Sequence, residues 1–467
     1  MKQAGLFIFA GLLLIALPLQ AQESGSVHIG GYGAIRFEAS DIAQLYRTFT
    51  FRRLILTTDA EITSRIRFVT ELEFERFRKI ELEKAIAPEN GIEVEQAIEG
   101  TSGSEIALEQ AWMQYTISDA FKIRAGGLLI PVGRFNTRHD DNLWTFPRRS
   151  LVDRGVPVLP SKSAWNELGF GISGMLPVGK YGLLTYEGQL TNGVIFDVEI
   201  EQRLRSHRVK NNEEYVFQMV EAEFQPATGT FGEDIKHAKA LSGRILFSPM
   251  PGHELALSGY TGRYTPEFMQ AQTLQSVGVD FLTGWRNFSL EGEFVHTSFG
   301  DIRTLTADFA RQAVFQKGEW IGGEEGEQLK TEVEFELKSF ARSKQGYWIE
   351  GRYAFWPSVL NQTFLAQDED PHFVLGIRWE QVWLNNLLSR AAFADGVITA
   401  FETDDRMVNR LTIGVVYRPT SLVGFQIAYE RTWTDPGQSL AAVTNYLPAS
   451  DTEDTANALL FGVVFGF

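Results

Sequence analysis

The chain has 467 residues, with 43 Lys and Arg against 59 Asp and Glu; a formal net charge of −16 excludes a general nucleic-acid binder, which needs a basic surface. Cysteine is absent, which excludes a disulfide framework, a thiol nucleophile, a thiolate metal site and an acylated cysteine anchor. The length would suggest about three ordinary domains, but a single large closed sheet accommodates it equally well.

Met1 and Lys2 open the chain with a positive charge, Leu6 to Leu17 is an apolar run, and Pro18-Leu19-Gln20-Ala21 leads to a cut before Gln22. This reads as a secretory signal peptide over 1–21, with 22–467 as one exported domain. The run falls short of the roughly 20 apolar residues that span a bilayer, and no other charge-free stretch of that length follows.

From there the dominant signal is alternation at period two. In SRIRFVTELEFER, Ile66, Phe68, Leu72 and Phe74 oppose Arg65, Arg67, Glu71, Glu73 and Glu75. TEVEFELKSF, residues 331–340, divides in the same way, with Val333, Phe335 and Leu337 against Glu332, Glu334, Glu336 and Lys338. Similar segments cover 274–285, 287–297, 347–356, 373–383, 410–418 and 425–433. About 16 segments are countable, or 18 if the region 214–240 adds two. Compact turns with Pro, Gly or Asn, such as 248–253, 283–287 and 418–424, alternate with long polar connections at 79–104, 196–213, 299–327, 367–371 and 448–454.

Alternation alone also fits a soluble β-sandwich. Three features favour an all-β transmembrane antiparallel barrel instead. Short and long connections are sorted. Aromatics stand near the ends of apolar faces, namely Trp285, Trp379, Trp383, Tyr417, Tyr429 and Trp433, as an interfacial girdle requires. The opposite faces carry charges of both signs, which a wet lumen tolerates and a dry core does not. The last strand, NALLFGVVFGF, places Leu459, Phe461, Val463, Phe465 and Phe467 on one bulky face and small residues on the other. Hydrocarbon cannot satisfy an open sheet edge, so this strand must pair with the first. A terminal Phe467 on such a strand resembles the signal read by outer-membrane barrel assembly machinery.

Residues 131–166 break the alternation. They contain four prolines, the cations Arg134, Arg138, Arg148, Arg149, Arg154 and Lys162 against Asp140, Asp141 and Asp153, and the apolar side chains Phe135, Leu143, Trp144, Phe146, Leu151 and Val152. A connection so apolar must pack against something. The predicted arrangement is a loop folded into the barrel, narrowing a water-filled channel so that its arginines favour anions. The simpler alternative for each arginine is an ion pair with a wall carboxylate that pins the loop.

The stretches EQAWMQYTISDAFKIRAGGLLIPVGRFNTRHDDNLW and RRSLVDRGVPVLPSKSAWNELGFGISG, within 109–174, resemble the phosphate-selective porin family of O and P type. The resemblance implies a 16-stranded barrel in a Gram-negative outer membrane, commonly a homotrimer, passing anions through a constriction made by an infolded loop. Phosphate-specific members concentrate lysines at the narrowest point. This chain departs from that pattern, with Lys162 as the loop's only lysine.

The expected function is therefore a non-enzymatic porin for small hydrophilic or anionic solutes, with lipid around it and no cofactor or metal. The alternatives are a barrel enzyme and a structural or adhesive surface protein. No GxSxG elbow or HExxH pair occurs. His139, beside Asp140 and Asp141, could imitate a metal or acid-base site, but it reads more simply as a histidine in a polar turn.

Overall fold

The computed structural model describes residues 25–41, 47–75, 80–86, 94–100, 105–155, 158–160, 164–210, 213–227, 238–267, 269–315, 333–335, 341–394, 397–440 and 453–467. The proposed signal peptide and Lys162 lie outside these residues, as does the side chain of Arg154. Sixteen strands close into an antiparallel barrel. In chain order they are β1 Ser26–Ser40, β2 Thr48–Glu61, β3 Ile66–Glu75, β4 Glu105–Ser118, β5 Phe121–Leu129, β6 Asn166–Val178, β7 Gly182–Thr191 and β8 Ala240–Met250. They continue as β9 His253–Arg263, β10 Thr273–Trp285, β11 Phe288–Ser298, β12 Ala341–Phe355, β13 His372–Ala394, β14 Val397–Thr420, β15 Val423–Thr434 and β16 Thr455–Gly466.

Closure comes from β16 against β1, in register from Tyr32 opposite Gly466 to Ser40 opposite Ala458. The terminal strand behaves as its alternation predicts. Leu459, Phe461 and Phe467 are exposed on the outside, while Ala458, Leu460 and Val464 are buried on the inside. Elsewhere the same division holds: Leu255 and Leu257 point out, 56% and 60% exposed, while Ala256 and Ser258 between them are buried. Such an oily exterior is stable only against another apolar phase.

Aromatic residues mark both margins of that exterior. Phe355, Phe373, Tyr417 and Phe425 form a row near the short turns, with neighbouring centroids 5.2–6.2 Å apart. Trp285 and Tyr417 belong to this end. Trp379 meets Trp433 at 5.4 Å, and Trp383 meets Tyr347 at 5.8 Å, toward the other end. Tyr429 lies between the two rows, its hydroxyl donating to Asn457 Oδ1 at 2.7 Å. Phe373 and Trp383 share the outer face of β13 ten residues apart. That is about 33 Å along a strand, or roughly 25 Å along the normal at a typical tilt, the height of a lipid-facing band.

Connections at one end are short, at 62–65, 119–120, 179–181, 251–252, 286–287 and 421–422. One connection departs from the sorting. Residues 356–371, including the acidic stretch 367–371, lie at the short-turn end and fold into two 3₁₀ turns. At the opposite end the polar connection expected at 196–213 instead contains the strand Ile195–Lys210, which forms a hairpin with Glu213–Ala227. TEVEFELKSF, the clearest alternation in the sequence, is not a wall strand. Its described part, Val333–Phe335, pairs with 391–393 beyond the barrel and in parallel with 218–220.

Candidate constriction and its anchoring

The described residues of the connection between β5 and β6, 130–155, 158–160 and 164–165, turn inward and cross the lumen. An irregular segment has no ladder of its own to satisfy its backbone, so the barrel wall must supply the partners. It does so with charge. The amide of Phe135 donates to Glu293 Oε2 at 2.8 Å, and that of Leu151 to Glu380 Oε1 at 2.9 Å. Arg378 donates to the carbonyl of Arg148 at 2.6 Å, and Arg410 to that of Arg149. Wall glutamates thus take loop N–H groups, while wall arginines cap loop carbonyls.

The loop's apolar residues form the other half of the anchor. Phe135 stacks on Trp144 at 3.9 Å, and both meet the inward-facing Trp348 edge-on, at 5.7 and 5.5 Å. Leu151, Val152, Val158 and Trp165 join the same cluster, and Phe146 sits beside Ala428 and Leu460. Burying each such side chain contributes about 1.5–3 kcal/mol. Leu143 is the exception among the predicted packing residues, being 40% exposed. Close approach depends on inner-face glycines: a side chain at Gly376 would meet Phe146 at 2.8 Å, and one at Gly462 would meet Pro147 at 3.0 Å.

The predicted constriction cations divide into two groups. Arg134 is buried against Glu254 at 2.8 Å, Glu291 at 3.0 Å and Asp280 at 3.6 Å. Arg148 is held by Glu430 at 2.9 Å and by Glu38. Arg149 pairs with Asp141 at 2.8 Å and Asp153 at 3.3 Å. Burial disfavours the Asp141 carboxylate, but Arg149, Arg53 and Arg52 outweigh it and hold its pKa well below the usual range. These three arginines have the geometry of pins. Arg138 differs: its side chain is 39% exposed, with Glu291 at a long 3.8 Å. Burial, joined by repulsion from Arg134 and Arg352 and opposed by Glu291 and Glu254, lowers its pKa.

His139 is not in a polar turn. Its ring is 3% exposed. Nε2 lies 3.0 Å from Glu109 Oε2 and 3.5 Å from Glu71 Oε1 on the wall, and Nδ1 lies 3.1 Å from the carbonyl of Asn136. Burial alone favours the neutral ring, but the Glu109 and Glu71 carboxylates and Asp140 raise its pKa well above the ordinary value. His139 touches β3 and β4, Arg134 touches β9 to β11, and Arg148 with Arg149 reaches β13 to β15 and β1. The loop is therefore braced on three sides of the ring. The partners Glu71, Glu109, Glu293, Trp348, Arg378, Glu380, Arg410 and Glu430 did not stand out in the sequence as site residues; their only signal was charge, or one Trp, on the inward face of alternating strands.

No family model matches the chain. An uncharacterized protein of Aquifex aeolicus (strain VF5) is 28% identical over 187 residues, 40% of this chain and 36% of the relative, so the match spans little more than a third of that relative's length. Among solved structures, the anion-selective porin from Comamonas acidovorans is similar at a TM-score of 0.50 and 10% identity, over 95% of this chain and 100% of the porin. OmpT, an outer membrane protein of Vibrio cholerae, is 8% identical over 97% of this chain and all of its own, at a TM-score of 0.47. The chain has the closed 16-strand barrel of a porin, as the likeness to the Comamonas protein and the strand pairing agree.

Proposed function

We propose that the chain is an outer-membrane porin, delivered by its signal peptide and inserted by the barrel assembly machinery, that passes small hydrophilic solutes through a water-filled path beside the infolded loop. The observation that carries this reading is the pairing of an oily exterior with an interior of charged residues. A barrel of this strand number leaves room for an aqueous channel. Lipid surrounds it, and the trimer implied by the family resemblance would cover part of its outer band.

Anion preference, in this reading, resides in Arg138 and not in Arg134, Arg148 or Arg149. Arg138 is the most exposed of the loop cations with described side chains and meets Glu291 only at 3.8 Å, while the other three are buried in carboxylate pairs of 3.0 Å or less. Paired cations contribute little net field at the channel, so general anion preference is favoured over a phosphate-specific site.

Planar-bilayer recording tests both levels. Stable single-channel currents are expected, with a reversal potential in a KCl gradient showing chloride preference that Arg138→Gln reduces. Absence of conductance would sink the porin reading in favour of the barrel enzyme or adhesive protein. Conductance with a cation preference would overturn only the role of Arg138.

A further inference from the structure

We propose that Glu71, Glu109 and His139 form a divalent-metal site that staples the infolded loop to the barrel wall between β3 and β4. Among the described residues, one ligand atom from each lies within 4.8 Å of the others, and all three residues are buried. The imidazole is oriented for ligation. Nδ1 faces the carbonyl of Asn136 at 3.1 Å, so its proton has an acceptor and the ring is fixed with Nε2 toward the carboxylates. Nε2 then faces Glu109 Oε2 at 3.0 Å and Glu71 Oε1 at 3.5 Å. Three Lewis bases converging on one point require a cation between them, either a proton or a metal ion.

A single proton leaves that demand half met. It lies along one line, to Glu109, and Glu71 Oε1 is buried without a hydrogen bond. The other oxygen of Glu71 accepts from Gln110 at 2.6 Å, which fixes the carboxylate with Oε1 aimed at the ring. A divalent ion would satisfy all three atoms and cancel two buried negative charges. With metal bonds of about 2.0–2.2 Å, the 3.0 and 3.5 Å separations correspond to angles of roughly 90–115° at the metal, compatible with tetrahedral or five-coordinate geometry. Asp140 Oδ1, 3.9 Å from Nε2 and also without a hydrogen bond, is placed for a fourth position directly or through water.

The backbone supports the same reading. Glu71 pairs with Gln110 and Leu72 with Leu108, which leaves Glu109 as the extra residue of a β-bulge. A bulge re-aims a side chain at the cost of ladder regularity, and here it brings Glu109 beside Glu71 on the lumen side. One nitrogen and two or three oxygens suit a late first-row ion, with Zn²⁺ the natural probe.

The test uses the full detergent-folded barrel, stripped with a chelator and titrated with Zn²⁺ alone. One equivalent should bind, and X-ray absorption at the zinc edge should show one imidazole nitrogen with oxygen neighbours at about 2.0–2.2 Å. Glu71→Gln and His139→Gln should each weaken binding tenfold or more, and Zn²⁺ should protect the loop of wild type, but not of Glu71→Gln, from protease. Failure of wild type to bind Zn²⁺ at 100-fold molar excess would overturn the site, as would unchanged affinity in both variants or a zinc shell without imidazole. Channel conductance plays no part in these readouts, so the staple and the porin reading stand or fall separately.

Discussion

Two stretches of the inner wall carry the same chemistry in opposite surroundings. On β12 to β15, Glu350, Arg378, Glu380, Arg410 and Glu430 form a chain of ion pairs whose side chains are at most 1% exposed, because the loop lies over them. On β5 and β7, Arg124 and Glu187 pair at 3.4 Å with both side chains 26% exposed. The first set works as structure: its arginines and Glu380 are also the hydrogen-bond partners of the loop backbone. The second remains open to solvent. The difference teaches that a charge on the inward face of a porin-type strand is neither a selectivity element nor a structural one by itself; what covers it decides.

The largest effect should come from breaking the covered network. Glu380→Ala leaves Arg378 and Arg410 short of a partner and the amide of Leu151 without an acceptor, a loss of about 3–5 kcal/mol for a buried pair. Urea unfolding in detergent should report it, together with faster proteolysis of the loop. Trp144→Ala removes the centre of the aromatic stack and should cost a comparable 3–5 kcal/mol or so, but with a different signature. Its effect should include larger and noisier single-channel conductance, since the loop's apolar anchor fails while its ionic one persists. Should either variant keep the loop protected, the loop is held elsewhere.

How much of this contrast could be read from the chain alone follows from what period-two patterning encodes. It reports that a strand has two faces, so the outward rows and the closing strand 455–466 were legible. It does not report which sheet a strand joins, and therefore Val333–Phe335, from the clearest pattern of all, ended outside the ring. Polarity likewise hid the strand Ile195–Lys210, which pairs in a hairpin with Glu213–Ala227 and is not one of the sixteen wall strands. The loop was legible as an apolar, proline-interrupted insert, because Phe135, Trp144 and Leu151 have no role in water. Its anchors were not: Glu380 lies 229 residues from Leu151 and Arg378 lies 230 from Arg148, and no local pattern relates them. His139 was misread for the same reason. Its neighbours in sequence are aspartates in a polar run, while its nearest partner in space, Glu109, is set by a bulge on another strand.

The smallest stability effect is expected on the wet side, where it sharpens the comparison most. Arg124→Gln removes an exposed pair worth roughly 0.2–1 kcal/mol. It also removes a cation stacked 4.7 Å from the ring of Trp112, which is buried, a contact worth about 0.5–2 kcal/mol. The urea midpoint should therefore move less than in Glu380→Ala. The current should respond instead, because Glu187 then faces the lumen without its cation, keeping among the described residues only the hydrogen bond from Gln189 at 2.9 Å, and the chloride preference should fall at low salt and recover as salt screens the extra charge. A large loss of stability with an unchanged reversal potential would show that Arg124 is structural after all, and coverage by the loop would then not be what separates the two stretches of wall.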